Sequence, residues 1–226
     1  MVMVGGLNVS PTFAAAASDV PVLGGLFQIL TVRNYDAEDG QVNQHVSVPE
    51  VDAKGDLAQQ VNAEIQERVD AHLAQAQQVW EDYHDAFIAT GGTEDEWSQR
   101  EMNVDVNYEI KSQTDTTVSF VVTMTQDMFD AYNEQTYYNL DIAADKDITL
   151  ADVLGEDWVN ICNAAVQTYI DQDTTGLFFS ADEGGFTTVD EATSFYLNED
   201  GSVTLVFPEY TIAAGAAGIV EIPVAG

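Results

Sequence analysis

The side chains that most often perform chemistry are few in this chain and lie far apart. The histidines are His45, His72 and His84, and the last two are twelve positions apart on one predicted helix. Three helical turns separate them, so they cannot share a metal ion, and we expect each to be an ordinary surface or boundary histidine. The chain contains neither Gly-x-Ser-x-Gly nor Ser-x-x-Lys, the motifs of activated serine nucleophiles. Cys162, the single cysteine, lies among apolar helix positions and is predicted to be a buried, inert thiol.

One acidic pattern resembles part of a calcium-binding loop. Asp171, Asp173 and Thr175 precede a glycine at the sixth position, and Asp182 occupies the twelfth. The glycine suits the sharp turn of an EF-hand loop, but an aspartate is one methylene short of the glutamate that usually closes it. These four residues are the metal-ligand candidates. The alternative is an acidic loop that follows a helix, and no other cofactor is indicated.

The charge balance restricts the possible partners. Six Lys and Arg residues face 39 Asp and Glu residues, which gives a formal net charge of −33. Such a chain cannot bind a phosphate backbone by counterion release, which excludes nucleic acid, and it is not attracted to an anionic membrane surface. A basic partner, dissolved cations or a high-salt habitat remain open.

The clearest predicted element is a long amphipathic helix. Apolar residues recur every three or four positions from Leu57 to Phe87, with Asp56 as the predicted N-cap and Gly91–Gly92 as the stop. Strands are predicted on both sides of it. The alternating pattern of residues 41–51 predicts a strand that ends at Pro49. Further strands are predicted at 102–111, 117–125, 136–142, 195–197, 203–207 and 219–224. Two further helices are predicted at 148–154, capped by Thr149, and at 158–170.

These elements predict an α+β fold in which the long helix packs on an antiparallel sheet. Residues 1–40 are predicted to form an N-terminal arm that contains a short apolar helix around 23–32. Residues 41–226 are predicted to form a single ligand-binding domain. The chain has no apolar run of about 18 residues. Either the protein has no membrane segment, or this chain begins just after one.

Blocks in this order and spacing resemble the ectodomain of RsiV-type anti-sigma factors. The resemblance covers nearly the whole chain, including Val61–Asn62 and Ile65 early in the long helix. The other blocks are 8–14 (NVSPTFA), 20–24 (VPVLG), 30–35 (LTVRNY), 138–141 (YNLD), 147–154 (DITLADVL), 195–197 (FYL), 206–213 (VFPEYTIA) and 216–223 (AAGIVEIP).

The resemblance implies an extracytoplasmic sensory domain without enzymatic activity, anchored by a transmembrane helix just before the first block. In this family the ectodomain binds c-type lysozyme, and binding exposes the stalk to signal peptidase. Further proteolysis then releases the sigma factor that a cytoplasmic part holds. Ala14, Ala15, Ala16 and Ala17 provide the small residues that signal peptidase reads; a short Ala-rich helical turn is the alternative.

Two other functions remain open at this stage. A similar fold occurs beside peptidoglycan deacetylase domains, so the chain could be a non-catalytic accessory module of a cell-wall protein. The third possibility is a metal-dependent enzyme or calcium protein that uses the loop from Asp171 to Asp182. The acidic surface fits a basic partner such as lysozyme, and it fits salt adaptation or simple solubility equally well.

Overall fold

The computed structural model describes residues 26–39, 41–128 and 132–224. The chain divides into two compact units. The first is formed by the described residues of 1–108 and 123–133, and the second by those of 109–122 and 134–226.

The α+β architecture predicted from the sequence is confirmed. The strands are β1 (Phe27–Asp39), β2 (Val42–Ala53), β3 (Met102–Gln113), β4 (Thr117–Gln126), β5 (Tyr132–Asp141), β6 (Lys146–Asp147), β7 (Ser194–Leu197), β8 (Val203–Phe207) and β9 (Val220–Val224). The helices are α1 (Asp56–Ala89), α2 (Glu94–Trp97), α3 (Leu150–Leu154) and α4 (Trp158–Gln172). Within the described residues, β1 to β6 form one sheet in chain order, and β7 to β9 form a second.

The prediction of a helix around residues 23–32 is wrong for the part that the structure describes. Residues 27–32 belong to β1, which pairs antiparallel with β2. A short apolar run does not distinguish a helix from a strand, and here the neighbouring strand supplies the backbone partners. The register of the pair shifts between Thr31 and Arg33, opposite Pro49. Because this β-bulge accommodates a residue without an N–H donor, β2 continues past Pro49 instead of ending there.

The helix α1 follows the predicted periodicity closely. Leu57, Val61, Ile65 and Val69 are buried along one face, and the helix contacts β2. It begins one residue earlier than predicted, because Gly55 at φ +148° is the N-cap and Asp56 already lies in the first helical turn. Its end is as predicted, with Thr90 as C-cap and Gly91 at φ +101°.

The sequence predicts an antiparallel sheet, but the observed sheet also contains a parallel pair of strands. Strands β2 and β3 run parallel, from Val42 opposite Met102 to Val46 opposite Val106. The chain between them contains α1, and parallel neighbours require a long crossover connection of this kind. The apolar cluster beside this pair contains Trp80 and Trp97, with ring centroids 4.6 Å apart.

The second unit has a core of its own around β7, β8 and β9. Leu205 and Ile222 are fully buried there, and α4 contributes Cys162 and Val166. Thr149 caps α3 as predicted, because its hydroxyl accepts a hydrogen bond from the Asp152 N–H. No helix in the described part of the chain is long and apolar enough to cross a membrane.

Candidate functional site

The most exposed large apolar or aromatic side chain of the described residues is Tyr210, at 72% of its full surface. It lies in the loop of residues 208–218 between β8 and β9, which we call the Tyr210 loop. Its φ of +63° is a left-handed conformation that costs a residue with a β-carbon about 1–2 kcal/mol. Such strain persists only where the surrounding structure imposes it, and it concentrates at functional positions.

Contacts on both sides of Tyr210 fix the loop. The Thr211 N–H donates to the Pro208 carbonyl at 3.2 Å and closes a turn around Tyr210. Ile212 and Ala213 are buried. A β-carbon added at Gly215 would lie 2.2 Å from the Tyr210 ring, so the ring rests directly on this glycine. The loop therefore places Tyr210 in a closed turn with its ring against Gly215.

The acidic segment that follows α4 is bound to the Tyr210 loop. Phe178 forms a β-bridge with Ala213, and the Phe179 N–H donates to the Ile212 carbonyl at 3.0 Å. Phe178 also packs edge-on against Tyr169, a second exposed aromatic residue. The segment with the metal-ligand candidates thus supports the Tyr210 loop.

The structure does not gather those metal-ligand candidates. Asp171 lies in α4, where its carboxylate accepts a hydrogen bond from Gln167. The Asp173 carboxylate accepts from the Thr175 N–H and hydroxyl, and these bonds lower its pKa. Asp182 lies in a 3₁₀ turn, Ala181–Glu183. Among the described residues, no group of three or more His, Cys, Asp or Glu side chains could hold a metal ion.

The other residues considered for chemistry have separate structural roles. His45 contacts Asp36 at 2.8 Å, and His84 contacts Glu94 at 3.1 Å, which raises the His84 pKa. His72 is buried, contrary to expectation, and desolvation lowers its pKa. The Cys162 thiol is buried as predicted, and desolvation raises its pKa to about 11.

Ala14, Ala15, Ala16 and Ala17 lie outside the described residues. The signal-peptidase site therefore stays a prediction.

The charges of the second unit are strongly one-sided. After Lys146 the sequence contains fourteen Asp and Glu residues and no Lys, Arg or His. This stretch includes the Tyr210 loop, both helices of the unit and all of the three-stranded sheet. An uncompensated field of this kind attracts a positively charged ligand. The count was available from the sequence, but only the structure shows that the stretch contains a strongly exposed aromatic residue, Tyr210.

Two of the cavities formed by the described residues lie in the second unit. One of about 310 Å³ borders the Tyr210 loop and is lined by Phe186, Asp190, Pro208 and Thr211, among others. The other, of about 550 Å³, is lined by parts of β5, α3 and the segment 191–195. Both fall within the range of sites that bind small molecules or a partner's side chains.

The described part of the chain is built from a long helix, a six-stranded sheet and a three-stranded sheet in a segment without basic side chains. The family model described as "Protein of unknown function (DUF3298)" matches residues 46–225, and the chain belongs to this family. It is similar to the Anti-sigma-V factor RsiV of Bacillus subtilis (strain 168), with 21% identity over 223 residues. That match covers 95% of this chain and 74% of the relative.

A solved member of the same family shares the fold. It comes from Bacteroides fragilis NCTC 9343 and superposes with a TM-score of 0.59 at 13% identity. The superposition covers 89% of this chain and 91% of the other.

Proposed function

We propose that this chain is the extracytoplasmic sensory domain of an anti-sigma factor and that it binds and inhibits c-type lysozyme or a similar basic envelope protein. The observation that carries the proposal is the strained, exposed Tyr210 within a stretch of sequence that has no basic side chain. Membership of the DUF3298 family and the similarity to an anti-sigma factor over 95% of the chain support the assignment.

The proposed contact surface centres on the Tyr210 loop. Tyrosine is enriched among the residues that dominate interface energies, because a rigid ring buries a large area at a low entropic cost. Glu209, an acidic residue, directly precedes Tyr210 in the sequence. The cavity of about 310 Å³ beside Pro208 can receive a side chain of the partner. The surrounding carboxylates accelerate encounter with a basic protein, while the packed centre determines how long the complex lasts.

In this proposal, ligand binding is read out by proteolysis. A transmembrane anchor precedes the chain, and signal peptidase cuts among Ala14, Ala15, Ala16 and Ala17 once the ligand is bound. A second cut in the membrane frees the sigma factor held by the cytoplasmic part. N-terminal sequencing of the fragment shed from cells treated with lysozyme tests this step, and a first residue well beyond Asp19 contradicts it.

The binding proposal is tested by immobilising the chain and measuring association with hen egg-white lysozyme at physiological salt. We expect specific binding and inhibition of cell-wall lysis near equimolar ratio. Tyr210→Ala should weaken binding at least about tenfold. Tyr83→Ala removes another exposed tyrosine, on α1, and serves as the matched control that keeps wild-type affinity.

Salt distinguishes a specific complex from simple charge attraction. Because salt screens exposed charges over about 10 Å at 0.1 M, it should slow association and change dissociation much less. If cytochrome c, another basic protein, competes equally and binding disappears at physiological salt, lysozyme is not the ligand. The accessory module of a peptidoglycan-modifying protein then becomes the better assignment.

A further inference from the structure

The larger cavity of the second unit has a wall that hydrogen bonds hold in place. Buried Asn139 on β5 accepts from the Ser119 hydroxyl at 2.7 Å and donates to the Phe195 carbonyl at 2.9 Å. The Ser119 hydroxyl in turn accepts from the Leu197 N–H at 3.0 Å. Asn139 also accepts at its backbone carbonyl from the Ile148 N–H at 2.7 Å. Strands β4, β5 and β7 are thus connected around the cavity, which is therefore a preformed space.

The lining of this cavity combines aromatic residues with carboxylates. Tyr137, Trp158 and Phe195 line it and are each half-buried, and Asp147 and Glu191 line it and are exposed. Among the described residues, neither carboxylate takes part in a hydrogen bond or an ion pair.

No basic side chain offsets the carboxylates of the cavity. None of its lining residues is Lys, Arg or His. The neighbouring Lys146 donates to Asp152 at 2.6 Å, so its ammonium group is already engaged. Aromatic residues together with unpaired carboxylates are the chemistry that recognises an organic cation, because the ring faces and the carboxylates both attract positive charge.

We propose that this cavity is a binding site for a small organic cation, a free compound with an aliphatic ammonium group. Its volume of about 550 Å³ exceeds the needs of a simple quaternary ammonium ion, so larger ammonium compounds also fit. The site does not depend on the protein ligand proposed above. The cavity is lined by β5, β6, α3, Trp158 of α4 and residues 191–195, of which 192–194 also line the smaller cavity beside the Tyr210 loop. Its aromatic residues and carboxylates are not part of the Tyr210 loop.

The test compares choline with 3,3-dimethyl-1-butanol, a neutral molecule of the same shape. Each is titrated at constant ionic strength into the ¹⁵N-labelled chain, and the indole N–H signals of its three tryptophans are followed. Only Trp158 lines the cavity, and Trp80 and Trp97 belong to the first unit. We expect choline to shift the Trp158 signal saturably at millimolar concentration and to bind about fivefold more tightly than the neutral analogue.

Variants in which a carboxylate is replaced by a neutral amide test which carboxylates contribute to choline binding. Glu191→Gln and Asp147→Asn should each weaken choline binding about two- to fivefold. Glu199→Gln removes the same charge from the exposed turn between β7 and β8 and should leave affinity unchanged. Trp158→Phe assigns the indole signal, and triple-resonance assignment replaces this variant if it does not fold.

Three results would each overturn the proposal. The first is the absence of a saturable Trp158 shift at tens of millimolar choline, and the second is equal affinity for the two compounds. The third is an equal loss of choline affinity in the Glu199 control, which would indicate a general effect of net charge.

Discussion

Replacing Tyr210 by asparagine separates the stability of the Tyr210 loop from its proposed role in binding. Asparagine tolerates the left-handed conformation at φ +63°, so the variant should regain about 1 kcal/mol of backbone strain. Tyr210 is 72% exposed, and loss of its ring returns only about 50 Å² of contact to water. At 25 cal/mol per Å² this costs about 1.3 kcal/mol. The two effects nearly cancel, so the free energy of unfolding should change by less than about 1 kcal/mol.

Binding should respond very differently from stability. If Tyr210 is the central contact, its removal costs about 2 kcal/mol or more of binding free energy, which is about a 30-fold loss of lysozyme affinity. Gly215→Ala provides an independent perturbation that keeps the phenol. Its new β-carbon would lie 2.2 Å from the ring, so the flexible side chain must move away from its present position. We expect weaker binding with nearly unchanged stability in this variant as well.

Urea unfolding measures the stability of both variants, and biolayer interferometry with hen egg-white lysozyme measures their binding. A loss of more than about 3 kcal/mol in Tyr210→Asn would show that the ring is a structural anchor and that the strain calculation is wrong. Wild-type affinity in a variant of unchanged stability would remove Tyr210 from the interface.

Three further predictions concern the second unit. The Asp152 pKa is lowered to about 2, chiefly by the hydrogen bond from Lys146. This carboxylate therefore stabilises the fold fully above pH ~4, and the contribution is lost as the pH falls towards 2; Asp152→Asn should flatten the stability profile in that range. Asn139→Ala should lower the free energy of unfolding by about 2–4 kcal/mol in urea titrations, because it leaves buried partners unpaired, and Ser119→Ala should not add fully to it. Millimolar calcium should leave the melting temperature unchanged, because Asp173 already accepts hydrogen bonds from its own loop; a rise that Asp173→Asn abolishes would establish the metal site instead.

Much of the fold follows from periodicity and local capping. The apolar spacing between Leu57 and Phe87 requires a helix of this length, and Thr149 with Asp152 forms the cap that its spacing indicates. The failures concern partners distant in sequence. Nothing in residues 27–32 shows that β2 will pair with them, and Pro49 indicates the end of a strand unless the opposite strand bulges.

The candidate site was harder to predict from the sequence than the fold was. The sequence of the loop from Asp171 to Asp182 suggests a metal site. In the structure, Phe178 of this loop forms a β-bridge to Ala213 and so supports the Tyr210 loop. In the sequence, Tyr210 belongs only to residues 206–213, one of the blocks that resemble the family, and no role is predicted for it. Its positive φ and the position of its ring against Gly215 are visible only in the structure.

The carboxylates of residues 147–226 show how a segment without basic side chains holds its local structure. Several accept hydrogen bonds from a hydroxyl and from backbone N–H groups two or three residues away. These pairs are Asp152 with Thr149, Asp173 with Thr175, Glu183 with Ser180, Asp190 with Thr193, and Asp200 with Ser202. Such bonds stabilise turns and helix ends, and they lower the pKa of Asp173, Glu183 and Asp200, which keeps these carboxylates ionised. Because no hydroxyl or N–H donor brings a positive charge with it, the negative field of this segment stays largely uncompensated. The local interactions that stabilise this part of the fold therefore preserve the charge that the proposed basic partner requires.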